Sequence, residues 1–316
     1  MPPSVEEAIH LVSGSAARGQ LMGAGARKRI FGSDDMLTSG PCDVDPVRHA
    51  ALRRAWDLEA AVAPFRSPLD LADLRAAIAG DEPVVLWGTR SFSDLVWLRW
   101  ALDGLGRIGA EGPRCWLARP DDDDPRLMVG HFTPDEVRIA LAAARAITVD
   151  QWREGAELWI QYASPSPLRF DEARRRGSSA FPELTRSAEA HGAWFPRIME
   201  GRLVLSELDE VLLGCVDDSW RTPDALLETL PETRVAQQVW SFDAYFATER
   251  LRAWASHGAL EREVLADSTP HVRDRFRATG RSRRLNDPSS RWVRIEAERE
   301  ALDVDPRPYR LGAHAG

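Results

Sequence analysis

Apolar residues in the first 120 positions fall into short continuous runs that alternate with longer stretches of three-to-four-residue period. Residues 9–12 (Ile-His-Leu-Val), 83–87 (Pro-Val-Val-Leu-Trp) and 114–118 read as buried strands, and 29–31 as a brief fourth. Between them, residues 15–22, 47–63 and 92–105 carry helical spacing. In the second of these Leu52, Ala55, Trp56 and Glu59 share one face. Ser67-Pro68-Leu69-Asp70 has the form of a helix start, a serine cap with proline in the first turn and an acid three residues on, for a helix ending at Gly80. Strands separated by helices predict an α/β, Rossmann-like domain over residues 1–125, with a mainly parallel sheet and right-handed crossovers.

From 126 the periodicity turns helical. Thr133-Pro134-Asp135-Glu136 is a capping box with proline at the first helical position, and Thr148 with Gln151 opens a second helix. A further helix is expected over 181–195, making 126–200 an all-helical region. Ser206 and Thr222 cap two more helices, and a third is expected over 242–256. His257-Gly258 then stops the chain before a strand through Leu265. Three helices and a strand predict a winged-helix-like unit over 201–270. Residues 271–316, rich in arginine, are expected to form a polar tail.

Composition narrows the class. The chain has 316 residues, 44% hydrophobic and 28% charged, which is ordinary for globular proteins of more than one domain. No run is long and apolar enough for a membrane helix, and the acidic first residues lack a signal-peptide pattern, so a cytoplasmic location without a membrane partner is expected. Cys42, Cys115 and Cys215 lie far apart and predict no disulfide framework. A net charge of −8 argues against general nucleic-acid binding. The exception is the segment with Arg273, Arg275, Arg277, Arg281, Arg283, Arg284, Arg291 and Arg294 beside Trp292, where DNA remains a minor expectation. Asp121 to Asp124 read as a solvated linker, and no metal or particular cofactor is indicated.

Candidate chemistry gathers at the strand ends. In a parallel sheet the loops after the strand C-termini share one edge, where ligands bind. The first such loop holds Gly14, Ser15 and Ala16, whose helix-start N–H groups can face an anion, with His10 on the strand before it. Gly14 could equally serve close packing, and His10 a structural role. The second loop holds Asp35 and the Gly40-Pro41 turn. Asp35 could hold a hydroxyl or a cation, or cap its own loop. The third holds Trp87, Gly88 and Asp94, with Trp87 able to form a wall or core and Asp94 able to cap a helix. Asp35 and Asp94 are also the one candidate acid–base pair. No nucleophile elbow, paired-cysteine motif or His-Glu-x-x-His occurs. These residues predict a small anionic ligand, nucleotide- or phosphate-like. The alternatives are a regulator or adaptor using residues 201–270 to bind a protein, and a transferase or hydrolase using the two carboxylates.

His10-Leu11-Val12-Ser13-Gly14, Gly19, Leu21, Asp35-x-Leu37-x-x-Gly40-Pro41, Arg53 and Trp56 together resemble the N-terminal signature of bacterial proteins grouped as domain of unknown function 1835. Leu86-Trp87 with Asp94 and Leu98 is similar to that family's third-strand motif. Phe132-Thr133-Pro134 and 201–213 are similar to its helical C-terminal portion. Ser15, Ala16 and Leu95 stand where relatives commonly carry an acid, a serine and a glutamine. The resemblance implies the fold and the place of a site; it implies no reaction.

Overall fold

The computed structural model describes residues 1–26, 29–33, 37, 42–59, 75–76, 78, 80–89, 91–109, 114–119, 129–164, 176–177, 180, 184, 197–199, 202–204, 206–230, 244–256, 258–265 and 274–280. The chain forms two compact units, one within Met1–Ala188 and one from Glu189 onward.

The first unit is built on a five-stranded sheet. Its strands are β1 (Ile9–Ser13), β2 (Ile30–Ser33), β3 (Val84–Trp87), β4 (Cys115–Ala118) and β5 (Arg145–Ala146), in the spatial order β2-β1-β3-β4-β5. The first four are parallel and β5 runs antiparallel to β4. Register is tight: Ser13 pairs with Ser33, Leu11 with Leu86 and Trp87 with Ala118. β1 and β3 are apolar on both faces because both faces are covered, as parallel sheets require. Val12, Val85 and Trp87 pack with Ala17, Leu21 and Ala24 of helix α1 (Ser15–Ala24) and with Val137, Ala140 and Leu141 of α4 (Pro134–Ala142). Ile9, Leu11, Val84 and Leu86, pointing the other way, are equally buried. Helix α2 (Pro46–Glu59) follows β2. Helix α3 (Phe92–Arg107) packs against β1, β3 and the antiparallel α5 (Val149–Tyr162), where Gly155 admits Leu102 and Gly106 admits Trp152.

Local chemistry explains the helix ends. Thr133 and Thr148 form complete capping boxes with Glu136 and Gln151, as their spacing predicts. At the end of α1, Gly25 takes the left-handed conformation (φ 116°) and returns its N–H to the last turn.

The stretch expected to be all-helical departs from that reading. Its helices α4 and α5 enclose β5, which joins the sheet of the first unit. A two-residue strand of Arg and Ala shows no hydrophobic alternation, so the pattern could not reveal it. The helices expected over 67–80 and 181–195 lie largely outside the described residues, as does the acidic run 121–125.

The second unit contains a hairpin of β6 (Arg197–Met199) and β7 (Arg202–Val204), and helices α6 (Glu207–Cys215), α7 (Pro223–Leu227) and α8 (Ala244–Ser256). A second antiparallel hairpin joins β8 (Leu260–Val264) to β9 (Asp274–Ala278). Arg221, between α6 and α7, pairs with Phe276 of β9. Leu213, Val216, Leu226, Leu251, Trp254, Leu260 and Phe276 form the core. β9 corrects the expectation of a polar tail from 271. In Asp-Arg-Phe-Arg-Ala the buried residues alternate with arginines, a period of two that the arginine-rich composition obscures. Among the described residues, no helix is long and apolar enough to cross a membrane.

Candidate ligand-binding rim

The C-terminal ends of β1, β2 and β3 lie side by side. β1 and β3 pair in parallel as far as Leu11–Leu86, and Gly14 and Gly88–Thr89 follow at the C-terminal ends of these two strands. Gly14 has φ 86° and ψ 151°, backbone that only glycine adopts readily, and from it α1 begins at once. Gly14, the residue in the capping position of α1, has no side chain to cap with, and the first turn holds no acid. Ser15 and Ala16 are exposed. Val129–Gly130–His131 forms a 3₁₀ turn against this end of α1: a Cβ on Gly130 would lie 2.6 Å from Cβ of Ala16 and 3.3 Å from the Ala17 nitrogen. Gln20 Nε2 donates to the Gly130 carbonyl at 3.4 Å.

Helix α3 opens on the same edge and is closed differently. The N–H of Asp94 donates to Ser91 Oγ (3.2 Å), and that of Ser91 to Thr89 Oγ1 (3.1 Å). Both the N–H and the hydroxyl of Thr89 donate to Asp94 Oδ2, at 2.9 and 2.8 Å. All three residues are buried. Burial pushes the Asp94 carboxyl up to about 6, against the two bonds from Thr89.

The sequence-derived candidates therefore separate. Gly14, Ser15, Ala16 and Gly88 are at the rim. The Gly88 N–H donates to Ala118 O at 3.2 Å, and among the described residues nothing comes within 4 Å of where its Cβ would stand. Trp87 is fully buried, and its Nε1–H donates to His10 Nδ1 at 3.0 Å. His10 Nε2 lies 2.8 Å from the Val5 carbonyl. With both nitrogens engaged inside the core, His10 has the geometry of a structural residue, and burial lowers its pKa. Trp87 likewise has the surroundings of a core residue rather than of a ligand wall. Asp94 lies in the first turn of α3, but the cap is Ser91, and the Asp94 carboxylate accepts from Thr89 instead. Asp35, Gly40 and Pro41 lie outside the described residues, and so does any pairing of Asp35 with Asp94.

Other buried polar residues of this unit escaped the pattern. Tyr162, the last residue of α5, donates its hydroxyl to the Leu37 carbonyl at 2.8 Å, which ties the end of α5 to Leu37. Burial drives its pKa well up, as does neighbouring Cys42, while Arg99 and Arg53 oppose the shift. Arg99 is fully buried on α3 and donates from Nη2 to the Leu184 carbonyl at 3.2 Å; burial lowers its pKa to about 10. An arginine inside an apolar helix face is the one signal that could have marked it. Cys115 is buried and its thiol is pushed up to about 12, which leaves it unreactive. Among the described residues, no cluster of three or more His, Cys, Asp or Glu could hold a metal.

In the second unit two arginines of α8 turn toward carboxylates of their own unit. Arg250 is buried and paired with Asp209 of α6, and Arg252 pairs with Asp274. Across the hairpin Arg275 pairs with Glu263, and Arg277 pairs with Glu261 over the Trp220 ring. Each of these four guanidinium groups has a carboxylate of the same unit. Arg273 and the arginines from 281 to 294 lie outside the described residues. No family model matches this chain, and no curated protein matches it.

Proposed function

We propose that the protein binds a small anionic ligand, nucleotide- or phosphate-like, at the C-terminal edge of the sheet, with the first N–H groups of α1 receiving the negative group. The observation that carries this reading is the contrast between the two helices opening on that edge. α3 is closed by Ser91 and Asp94, whereas α1 follows Gly14 with no capping side chain and no acid in its first turn. A helix start behind a glycine directs its first N–H donors and the positive end of the helix dipole toward an anion. The order β2-β1-β3-β4-β5 supports the same place, since in doubly wound, Rossmann-like sheets ligands sit where the strand order reverses, here between β1 and β3. Membership of the domain of unknown function 1835 family is part of this proposal, with Asp35 holding a hydroxyl or cation of the ligand and Gly40-Pro41 bounding it. The acid–base pairing of Asp35 with Asp94 is the weaker chemistry, because Asp94 Oδ2 is engaged by Thr89.

A thermal-shift screen with inorganic phosphate, nucleotides and sugar phosphates tests it on wild type, Gly14→Asp and Ser15→Asp. An acid at the exposed Ser15 position stabilises the unliganded helix by about 0.3–1 kcal/mol while repelling an anion. The expected result is a higher melting temperature for Ser15→Asp with the phosphate response lost. Equal ligand responses in all three proteins would overturn the reading.

The Arg221–Phe276 pairing favours a second reading for the other unit. Together with α6, α7, α8 and the β8–β9 hairpin it gives the helix–strand–helix–helix–strand–strand order of a winged helix. The inward pairing of Arg250 and Arg252 makes a protein the better partner than DNA, in an adaptor or regulator role. Pull-down from lysate with size-exclusion chromatography tests it; retention on duplex DNA at low salt would reverse the choice of partner.

A further inference from the structure

We propose that the turn joining β3 to α3 is a proton-responsive latch, in which gain or loss of a proton at Asp94 changes how firmly Thr89 is held at the rim. The basis is a closed ring. Thr89 gives two hydrogen bonds to one oxygen, Asp94 Oδ2; Ser91 N–H returns to the Thr89 hydroxyl; and Asp94 N–H returns to Ser91 Oγ. Every member is buried, so water cannot replace a weakened bond. These two bonds from Thr89 end on the same atom, and one proton on that carboxyl converts both from charge-assisted to neutral.

Among the described residues, the groups around Asp94 leave it to titrate by itself. On its own helix the ionisable residues further along are Arg99, Asp103 and Arg107; β3 carries none. His10 of β1 lies in the core on the α1 side, bonded to Trp87 and Val5. On α5 the charged residues are Asp150, Arg153, Glu154 and Glu157. The Leu102–Gly155 register brings Tyr162 level with the start of α3, and burial keeps its phenol neutral. Among the described residues only burial and the two Thr89 bonds shift Asp94, and they raise its pKa to about 6.

Amide hydrogen exchange by NMR on the full chain between pH 5 and 7.5 tests the latch. After correction for intrinsic exchange, protection of the Thr89 amide is expected to fall roughly five- to tenfold on acidification, the ratio between charge-assisted and neutral bonds. The Thr89 amide proton shift should follow the same curve, with a midpoint of about 6. In Asp94→Asn, a permanently neutral acceptor, protection should be low and independent of pH. A flat wild-type profile overturns the proposal, as does an Asp94→Asn profile that still titrates like wild type. If Asp94→Asn does not fold, the wild-type shift titration decides alone. That ligand affinity varies over the same pH range rests on the anion-binding reading above, whereas the exchange measurement does not. A silent Thr89 therefore removes the latch and spares the site, and a failed ligand screen does the reverse.

Discussion

Trp87 donates its indole N–H to Nδ1 of His10 across the β1–β3 pair, and this bond determines which ring nitrogen carries the proton. With Nδ1 accepting, the hydrogen of the neutral imidazole sits on Nε2 and is given to the Val5 carbonyl. A histidine fixed in that tautomer within an apolar core joins the segment before β1 to the sheet, directly beneath the rim.

Replacing Trp87 by Phe keeps most of the buried ring but leaves Nδ1 of His10 without its donor. The expected cost is about 1–3 kcal/mol for an unsatisfied buried acceptor, over and above the loss of ring volume. Urea denaturation at pH 7.5 measures it. Phosphate binding should survive, since Trp87 lies below the rim and does not line it. Loss of binding with unchanged stability would return Trp87 to the ligand wall.

Stability against pH carries two opposed contributions from this unit. Burial lowers the pKa of His10 from 6.5, so below that pH the unfolded chain takes up a proton the folded core refuses, and stability falls on acidification. Asp94 behaves oppositely. Its folded value of about 6 exceeds the ordinary 3.8, so its contribution is fully present below 3.8 and is lost as pH rises through about 6. Between pH 6 and 4 acidification therefore gains from Asp94 part of what it loses at His10. Asp94→Asn removes the compensating half, and its urea midpoint should fall more steeply than wild type over that interval. Parallel curves would show that Asp94 does not titrate there.

The strands that build the rim were readable because β1, β3 and β4 are short apolar runs buried on both faces, and their neighbours begin with recognisable caps. Gly14 stood out because a tight turn between strand and helix needs its backbone freedom. β5 and β9 hid for different reasons, one being two residues long and the other masked by arginines that pair with Glu261 and Glu263. The inward turn of Arg250 was unreadable because its carboxylate, Asp209, lies 41 positions away. The ring around Asp94 was half visible: the sequence places Asp94 at a helix start, but the cap proves to be Ser91, and the return to Thr89 depends on burial.

Two glycines test how closely packing controls the rim. A methyl group on Gly130 would press on Ala16 and on the backbone at Ala17, inside the first turn of α1. Gly130→Ala is expected to destabilise by about 1–3 kcal/mol and to weaken any phosphate response, since the displaced atoms belong to the proposed anion cradle. Gly214, in α6, has nothing within 4 Å of its Cβ position among the described residues. Gly214→Ala should stabilise by about 0.5–1 kcal/mol and leave the rim untouched. Thermal unfolding with and without phosphate checks both signs.

The buried pair Asp209–Arg250 constrains what the second unit can do. Asp209 is fully buried; besides Arg250 it accepts the indole N–H of Trp254 at 2.9 Å and the Ser206 hydroxyl at 2.6 Å. Arg250→Met leaves that carboxylate without its cation and should cost about 3–5 kcal/mol. The double variant Asp209→Leu/Arg250→Met removes the stranded charge and should be more stable than the single. It should still fall short of wild type by about 1–3 kcal/mol, because the Trp254 N–H then has no acceptor. Denaturant unfolding of wild type, single and double variants measures the coupling. The same numbers bear on DNA: for α8 to offer Arg250 to a phosphate, the unit would have to give up this pair, and a nucleic acid contact repays little of such a loss. A cost below 1 kcal/mol for Arg250→Met would remove that obstacle and make α8 available as a reading helix.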